Sequence, residues 1–583
     1  MSGWIHDSIV VVIATLMAFS KGQSPRVMTT NGEIEGYTET TDGVTVDIFL
    51  GIPFAAPPLG DLRFRAPQPA EKWTGVKETK AQPYSCSQLP DESYGRFEGV
   101  EMWNNNTEVS EDCLYLNMWV PRTNGTKPTM IWFFGGSFVY GSITLDVYDG
   151  RFLAAKELTI VASMQYRMSV LGFLYMANDD APGNMGLLDQ QLAMKWIYDN
   201  VNVFGGNQEK ITLFGESSGA ASINHHMFAP SSWPYFSNVI LLSASSLAHW
   251  AYDAPENVFE LTRAFIKEVN CDDIEHSKVM ECLRNKDASY LELMQWNLAT
   301  KTIGVFVPTI DGTFLPNYPN KLLLSGSIKP ANMLMGVTKD EGEFFMLYFY
   351  PEYFPADSIW SPSPLSKSAY LDMLCRIPGC TNDLQQRGTL YTYEMSKLPS
   401  KRGIYRDTID EVLGDFYFKC PVREMAIEHS NVGNAQTYVY SFEYRHSANP
   451  WPTWMGALHG YEIEMMFGMP FNPQRNYSDL DRVVSTNVMK YIVGFARDGD
   501  LRSYEQSWPA FTTDSEQHIV FSQDGSTHVR EGLRTKECTF WNYLMPQLKT
   551  HSGGTTNGGA NLKELSSRFV WLTMIASMLL KTL

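Results

Sequence analysis

The stretch that most constrains this chain is Gly215-Glu216-Ser217-Ser218-Gly219, a G-x-S-x-G pattern set between two segments of different character. Ile211-Thr212-Leu213-Phe214 before it is apolar and β-branched, as a strand would be, and Ala220 to Met227 after it reads as the start of a helix. Strand, sharp turn and helix in that order form the setting of a nucleophile elbow, in which the serine hydroxyl stands exposed above the end of a sheet. Side chains at the two glycine positions would collide with the neighbouring strand and helix. A Gly/Ser turn that matches by chance is the alternative, and the flanking segments argue against it.

The rest of the chain supplies the sheet. Pro128 to Phe134, Leu158 to Met164, Asn238 to Leu242, Asn332 to Gly336 and Thr437 to Phe442 read as apolar strands, and Gln190 to Val203 has helical spacing. Such alternation predicts an α/β fold with a large, mostly parallel central sheet covered by helices on both faces. Val44 to Leu50 reads as antiparallel edge strand, and the Pro-rich run from Gly51 to Gly60 as a loop that cannot continue it. The long mixed stretches 251–330 and 345–436 read as helical excursions on one sheet, so the expected organisation is a single catalytic domain over 23–548. A net charge of -18 argues against nucleic acid as a partner and permits attraction of a cationic substrate.

Both ends carry processing patterns. Ile9 to Phe19 is an apolar run followed by Ser20 and Gly22, too short to span a bilayer, and residues 1–22 read as a signal peptide. Residues 549–583 read as a linker and attachment signal: small residues at Asn557-Gly558-Gly559, a polar spacer to Arg568, then the short apolar tail Phe569 to Leu580. This order points to a GPI anchor on Asn557, with Ser552-Gly553-Gly554 as the other attachment site and a transmembrane tail as the competing reading. Secretion makes disulfides the expected state of the eight cysteines. The expected pairs are Cys86 with Cys113, Cys271 with Cys282 and Cys420 with Cys538, leaving Cys375 and Cys380 to pair by default, although composition alone does not choose the connectivity. Asn105, Asn124 and Asn476 head N-x-S/T sequons, the expected glycosylation sites. No cysteine lies beyond Cys538, so a homodimer is expected to be non-covalent.

A serine hydroxyl needs a base to take its proton, and in an α/β-hydrolase an acid and then a histidine follow the serine in sequence. His459 stands in a loop after the last clear strand, and Glu341 follows the strand ending at Gly336, with the adjacent Asp340 as the other acid candidate. Donors for the developing oxyanion are expected from the backbone of Ser218 and of Gly135-Gly136-Ser137, a glycine-rich turn after an early strand. No metal-binding cluster or nucleotide loop is evident, so no cofactor and no metal are expected.

Across roughly Gly32 to Trp541 the chain resembles the carboxylesterase/cholinesterase family, on its cholinesterase side. The resemblance is carried by Glu111 to Asn117, the Gly135-Gly136 loop, Phe214 to Ala220, Lys339 to Gly342 and His459 to Glu462. It implies a triad of Ser217, Glu341 and His459, favours Glu341 over Asp340, and supports the first three disulfides; Cys375 and Cys380 lie outside the family pattern. It further implies a serine esterase cleaving choline esters, chiefly acetylcholine to choline and acetate, at a GPI-anchored, extracellular and synaptic location. Trp103 matches the tryptophan that stacks on the choline ammonium, with Glu216, Phe344, Tyr461 and Tyr148 as the rest of that site. Quaternary ammonium has no proton to donate, so aromatic faces are its natural partners. Trp250, Thr302, Gly304 and Phe306 are the implied acyl pocket, and Asp91, Trp296 and Tyr348 the implied rim of the gorge.

Three departures from the family pattern set further expectations. Ser137 stands where the family usually has a third glycine, so its Cβ should narrow the oxyanion hole. Thr302 and Gly304 leave room in the acyl pocket, so butyryl esters should be accepted. Leu89 and Val139 replace rim tyrosines, so a peripheral cation should bind weakly. The rival readings are a broad carboxylesterase on the same fold and a non-catalytic adhesion protein; the set Trp103, Phe344 and Tyr461 argues against the first, and the presence of all three triad residues against the second.

Overall fold

A computed structural model describes residues 24–550 except 300–302, 379, 381, 395–403 and 505–507. The expected signal peptide 1–22, the attachment site Asn557 with its tail, and Thr302 lie outside the described residues. The chain divides into two compact units, one running to Ser363 and resuming over Leu413–Leu533, the other comprising Pro364–Val412 and the segment from Arg534. Every described residue expected in the site belongs to the first unit.

That unit is built on an eleven-stranded sheet. We number its strands in chain order: β1 Tyr37–Thr41, β2 Val44–Pro53, β3 Tyr115–Pro121, β4 Lys127–Phe133, β5 Ile160–Met164, β6 Gly206–Glu216, β7 Asn238–Leu242, β8 Asn332–Thr338, β9 Thr437–Phe442, β10 His518–Phe521 and β11 Thr527–Arg530. Their spatial order is β11-β10-β9-β8-β7-β6-β4-β5-β3-β2-β1. Strands β4 to β10 are mutually parallel, and the antiparallel pairs lie toward the two edges. The five residues of β7 are all buried, as are the six of β9. Such continuous burial, mostly of apolar side chains, is what a parallel strand covered on both faces shows. The fold is the α/β-hydrolase fold expected from the elbow.

Five helices matter below: α1 Met185–Asn200, α2 Ser218–Phe228, α3 Glu341–Phe349, α4 Cys420–Ser430 and α5 Asp479–Asp498. The start of α5 is set by Ser478, whose Oγ accepts the Asp481 N–H at 3.1 Å while the Asp481 carboxylate accepts the Ser478 N–H at 2.7 Å.

Two expectations need correction. The strand does not stop before the Pro-rich run, because β2 continues to Pro53 through a register shift between Phe49 and Ile52. Gly51 makes this possible: its φ of 74° suits a bulge, and its N–H is taken by Asn117 Oδ1 at 2.9 Å. Cys375 and Cys380 do not pair and are free thiols. Cys375 is the exposed last residue of a helix, whereas Cys380 is buried, 3.6 Å from Thr389 Oγ1, and burial pushes its thiol up to about 11. The disulfides Cys86–Cys113 and Cys271–Cys282 are formed, and Cys420 and Cys538 are each disulfide-bonded. Asn124 and Asn476 are exposed; Asn105 is half-buried, with its amide donating to Thr107 O at 2.8 Å. Among the described residues no helix is long and apolar enough to cross a membrane.

Candidate active site

Ser217 stands between the last residue of β6 and the first of α2, at φ 54° and ψ -123°. A non-glycine residue costs of order 1–2 kcal/mol in such a left-handed conformation. The elbow holds it there through the Ser217 N–H bond to Leu242 O on β7, 2.8 Å. The flanking glycines are sterically compelled. A Cβ on Gly215 would lie 2.7 Å from Phe133 O, and one on Gly219 would lie 2.1 Å from the same carbonyl.

Glu341, fully buried at the start of α3, accepts the Thr338 N–H on Oε1 at 2.7 Å and binds His459 Nδ1 through Oε2 at 2.5 Å. Asp340 is occupied otherwise: its Oδ2 accepts the Ala457 N–H at 2.7 Å. His459 Nε2 lies 2.9 Å from Glu216 Oε1, out of line for a hydrogen bond. The imidazole is therefore flanked by two carboxylates. Burial alone would pull its pKa down, but the charges of Glu216 and Glu341 outweigh this and hold it well above the ordinary histidine range. A third carboxyl, Glu462, is pushed up to about 8 by burial and by repulsion from Glu216 and Glu341, and stands near the Ser243 and Tyr440 hydroxyls at 3.3 and 3.4 Å. Phe418 and Phe345 close over the imidazole at 4.5 and 5.1 Å between centroids.

The glycine-rich loop lies across from the serine. A Cβ on Gly135 would meet Glu216 Oε2 at 2.6 Å, and one on Gly136, at φ 119°, would meet Tyr140 O at 2.1 Å. Ser137 and Phe138 both take left-handed backbone, φ 58° and 61°. Tyr166 steadies the loop from behind: it stacks on Phe134 at 4.2 Å and donates to Phe134 O at 2.7 Å.

A cavity of about 520 Å³, counting its open mouth, joins these parts. It is lined by Ser217, His459, Glu216, the Gly135–Ser137 loop, Trp103, Tyr148 and Phe344. Trp103 meets Tyr461 edge-on at 5.8 Å, and Tyr461 is itself buried. Asp91 Oδ2 accepts a 2.6 Å hydrogen bond from Tyr348, whose ring packs on Phe344 at 4.9 Å. Trp250, Gly304 and Phe306 are outside the cavity lining. Trp250 packs on Phe138 at 6.4 Å, and Phe306 meets Phe265 at 5.4 Å. Gly304 has φ 78°, and a Cβ there would lie 2.8 Å from Ser137 O, so its glycine is needed for close approach to the glycine-rich loop. Trp296 is 46% exposed on a short turn, Gln295–Leu298. Sequence reading missed Tyr140, which lines the cavity, and Trp451, whose ring meets Phe344 at 5.6 Å. Neither stands in a periodic pattern or a motif that could have flagged it.

The Carboxylesterase family model matches residues 23–541. The chain is 38% identical to the Cholinesterase of Mus musculus over 554 residues, covering 93% of this chain and 91% of that protein. It is 37% identical to the Acetylcholinesterase of Leptinotarsa decemlineata over 551 residues, 90% and 87% of the two chains. Against Acetylcholinesterase 1 of Caenorhabditis briggsae the identity is 40% over 530 residues, 86% and 84% of the two chains. With its fold, its serine elbow and this extent of similarity, the chain belongs to the carboxylesterase family.

Proposed function

We propose that this serine esterase hydrolyses choline esters, chiefly acetylcholine to choline and acetate, through an acyl-enzyme on Ser217. The observation that carries the reading is that Trp103, Phe344 and Glu216 line the same cavity as Ser217 and His459. Two aromatic faces and a carboxylate suit a quaternary ammonium, and such a contact is worth about 2 kcal/mol when desolvated.

His459 Nε2 turns from Glu216 to Ser217 and takes the hydroxyl proton as Oγ attacks the ester carbonyl. Glu341 holds Nδ1–H and stabilises the imidazolium. The backbone N–H groups of Gly135, Gly136, Ser137 and Ser218 form the oxyanion hole, each donor being worth about 10²–10³ in kcat. The carbonyl–oxygen bond to choline breaks as His459 returns the proton to the leaving oxygen. Water then attacks the acyl-enzyme by the same route and releases the acid. Tyr461 and Tyr148 complete the choline wall, and Asp91, Tyr348 and Trp296 form the rim.

The test compares kcat/KM for acetylcholine with that for its neutral isostere, 3,3-dimethylbutyl acetate. A preference for the cation that disappears in Trp103→Ala is the expected result; equal rates in the unaltered enzyme would leave a general carboxylesterase. The chain's processing patterns support secretion and a GPI anchor on Asn557, which phosphatidylinositol-specific phospholipase would release from cells. Exposed Leu384, Tyr391, Tyr543 and Leu544 of the second unit support a non-covalent homodimer, testable by sedimentation.

A further inference from the structure

Lys419 is only 5% exposed, an uncommon position for an ammonium group. It ends a π-helical turn, Asp415–Lys419, that leads directly into α4. Such turns are frequent at functional sites. Phe418, the residue before it, is the ring that lies over His459 at 4.5 Å. The same turn therefore touches the base with one side chain and presents the next to the loop that carries the acid.

The Lys419 Nζ donates to Lys339 O at 2.6 Å, two residues before Glu341. Asp340, the next residue, is tied both ways to Ala457, two residues before His459: its Oδ2 accepts the Ala457 N–H at 2.7 Å, and its own N–H donates to Ala457 O at 3.1 Å. Glu341 then binds His459 itself. Three consecutive residues are thus held to three different anchors. Gly414 opens the space in which this happens, since a Cβ there would lie 3.2 Å from Glu341 Cβ and 3.5 Å from Lys419 Nζ. The ammonium and the first side-chain carbon of Glu341 flank the same missing methyl group.

A core position of this kind is ordinarily filled by an apolar side chain, because burying an ammonium costs several kcal/mol unless it is paired. The charges nearby account for the choice. Lys419 faces Asp340 and the Lys339 carbonyl, with Asp415 on its own turn; Lys339 and Glu443 act on Asp340, and Glu216, Glu341 and Glu462 surround the imidazole. We propose that Lys419 is a positioning residue of the catalytic site, bracing the Lys339–Glu341 turn against the histidine loop and supplying a fixed positive charge beside the turn that carries Glu341. The inference rests on the reading of Ser217, Glu341 and His459 as a triad. A fixed cation there opposes formation of the imidazolium, so its removal makes His459 easier to protonate.

The test uses the full ectodomain with Lys419→Met, Lys419→Gln and Lys419→Arg, assayed with acetylthiocholine across pH and melted in parallel. Lys419→Gln is neutral but can still donate to Lys339 O, so it decides the matter if Lys419→Met does not fold. In the neutral variants kcat should fall about tenfold with KM within about twofold, as for loss of an alignment felt in the transition state. The acid limb of the kcat/KM profile should move to higher pH by roughly half a unit or more. Lys419→Arg should keep the limb in place. A limb unchanged in the folded neutral variant overturns the proposal, whether activity is normal or falls only in step with Tm. Ser217→Ala, assayed alongside, must be inactive; retained hydrolysis would remove the triad reading and this proposal with it, whereas an inactive Ser217→Ala beside unchanged Lys419 variants removes the proposal alone.

Discussion

At the scale of single residues, the site is governed by carboxylates around one imidazole and by one serine in a position suited to glycine. His459 can act as a base only when neutral, so activity rises as pH passes through its pKa. Glu216 lies 2.9 Å from Nε2 and helps to hold that pKa up. Replacing Glu216 with Gln removes the charge, lowers the pKa and moves the acid limb to lower pH. Phenyl acetate is the substrate to use, since it carries no cation for Glu216 to bind, and a limb that stays put or moves upward would contradict the electrostatic account. Ser137 sits at φ 58° within the loop proposed to bind the oxyanion, where its Cβ takes space that a glycine would leave open. Ser137→Gly should raise kcat/KM, by up to the roughly 10²-fold that a 1 Å displacement at a reacting centre is worth. An unchanged kcat/KM would show that the hole already has room.

At the scale of elements, the proposed triad could be read because each member follows a strand that announces itself. β6 leads to Ser217, β8 to Glu341 and β9 to the loop of His459. The choice of Glu341 over Asp340 was not legible from spacing, because adjacent carboxylates look alike in a sequence; the fold separates them by giving Asp340 to Ala457 and Glu341 to His459. Gly304 shows the same limit. It reads as room for an acyl chain, and its neighbour in space is the carbonyl of Ser137. Helix ends are more local. The capping box at α5 should contribute about 1 kcal/mol, so Ser478→Ala should lower the urea midpoint while leaving kcat/KM unchanged. A loss of activity at full stability would mean that α5 is coupled to the site.

At the scale of the whole molecule, the disulfide Cys86–Cys113 closes a segment with sequence separation 27 that carries both Asp91 and Trp103. A bridge over a loop of this length contributes roughly 2–4 kcal/mol. The paired change Cys86→Ser with Cys113→Ser should therefore lower Tm and raise KM for acetylthiocholine more than KM for phenyl acetate, because the loosened segment carries Trp103, the indole proposed to meet the cation. Equal changes in both KM values would detach the loop from choline recognition. Cys375 and Cys380 make the opposite point: an even cysteine count suggested a fourth bridge, but one thiol faces solvent and the other is buried.

What the sequence determined by itself was everything that depends on short range: the strand-turn-helix elbow at Ser217, the glycines it needs, the apolar strands of a parallel sheet and the order of serine, acid and histidine along the chain. What only the tertiary structure decided depends on residues far apart in sequence meeting in space. Glu216 reaches His459 across 243 positions, Tyr348 reaches Asp91, and Lys419 comes under the Lys339 carbonyl. Periodicity and turn chemistry act over a few residues, so they can specify an element and its end. The protonation state of an imidazole follows from charges and burial within a few ångströms, and those neighbours are chosen by the packing of the sheet and its loops.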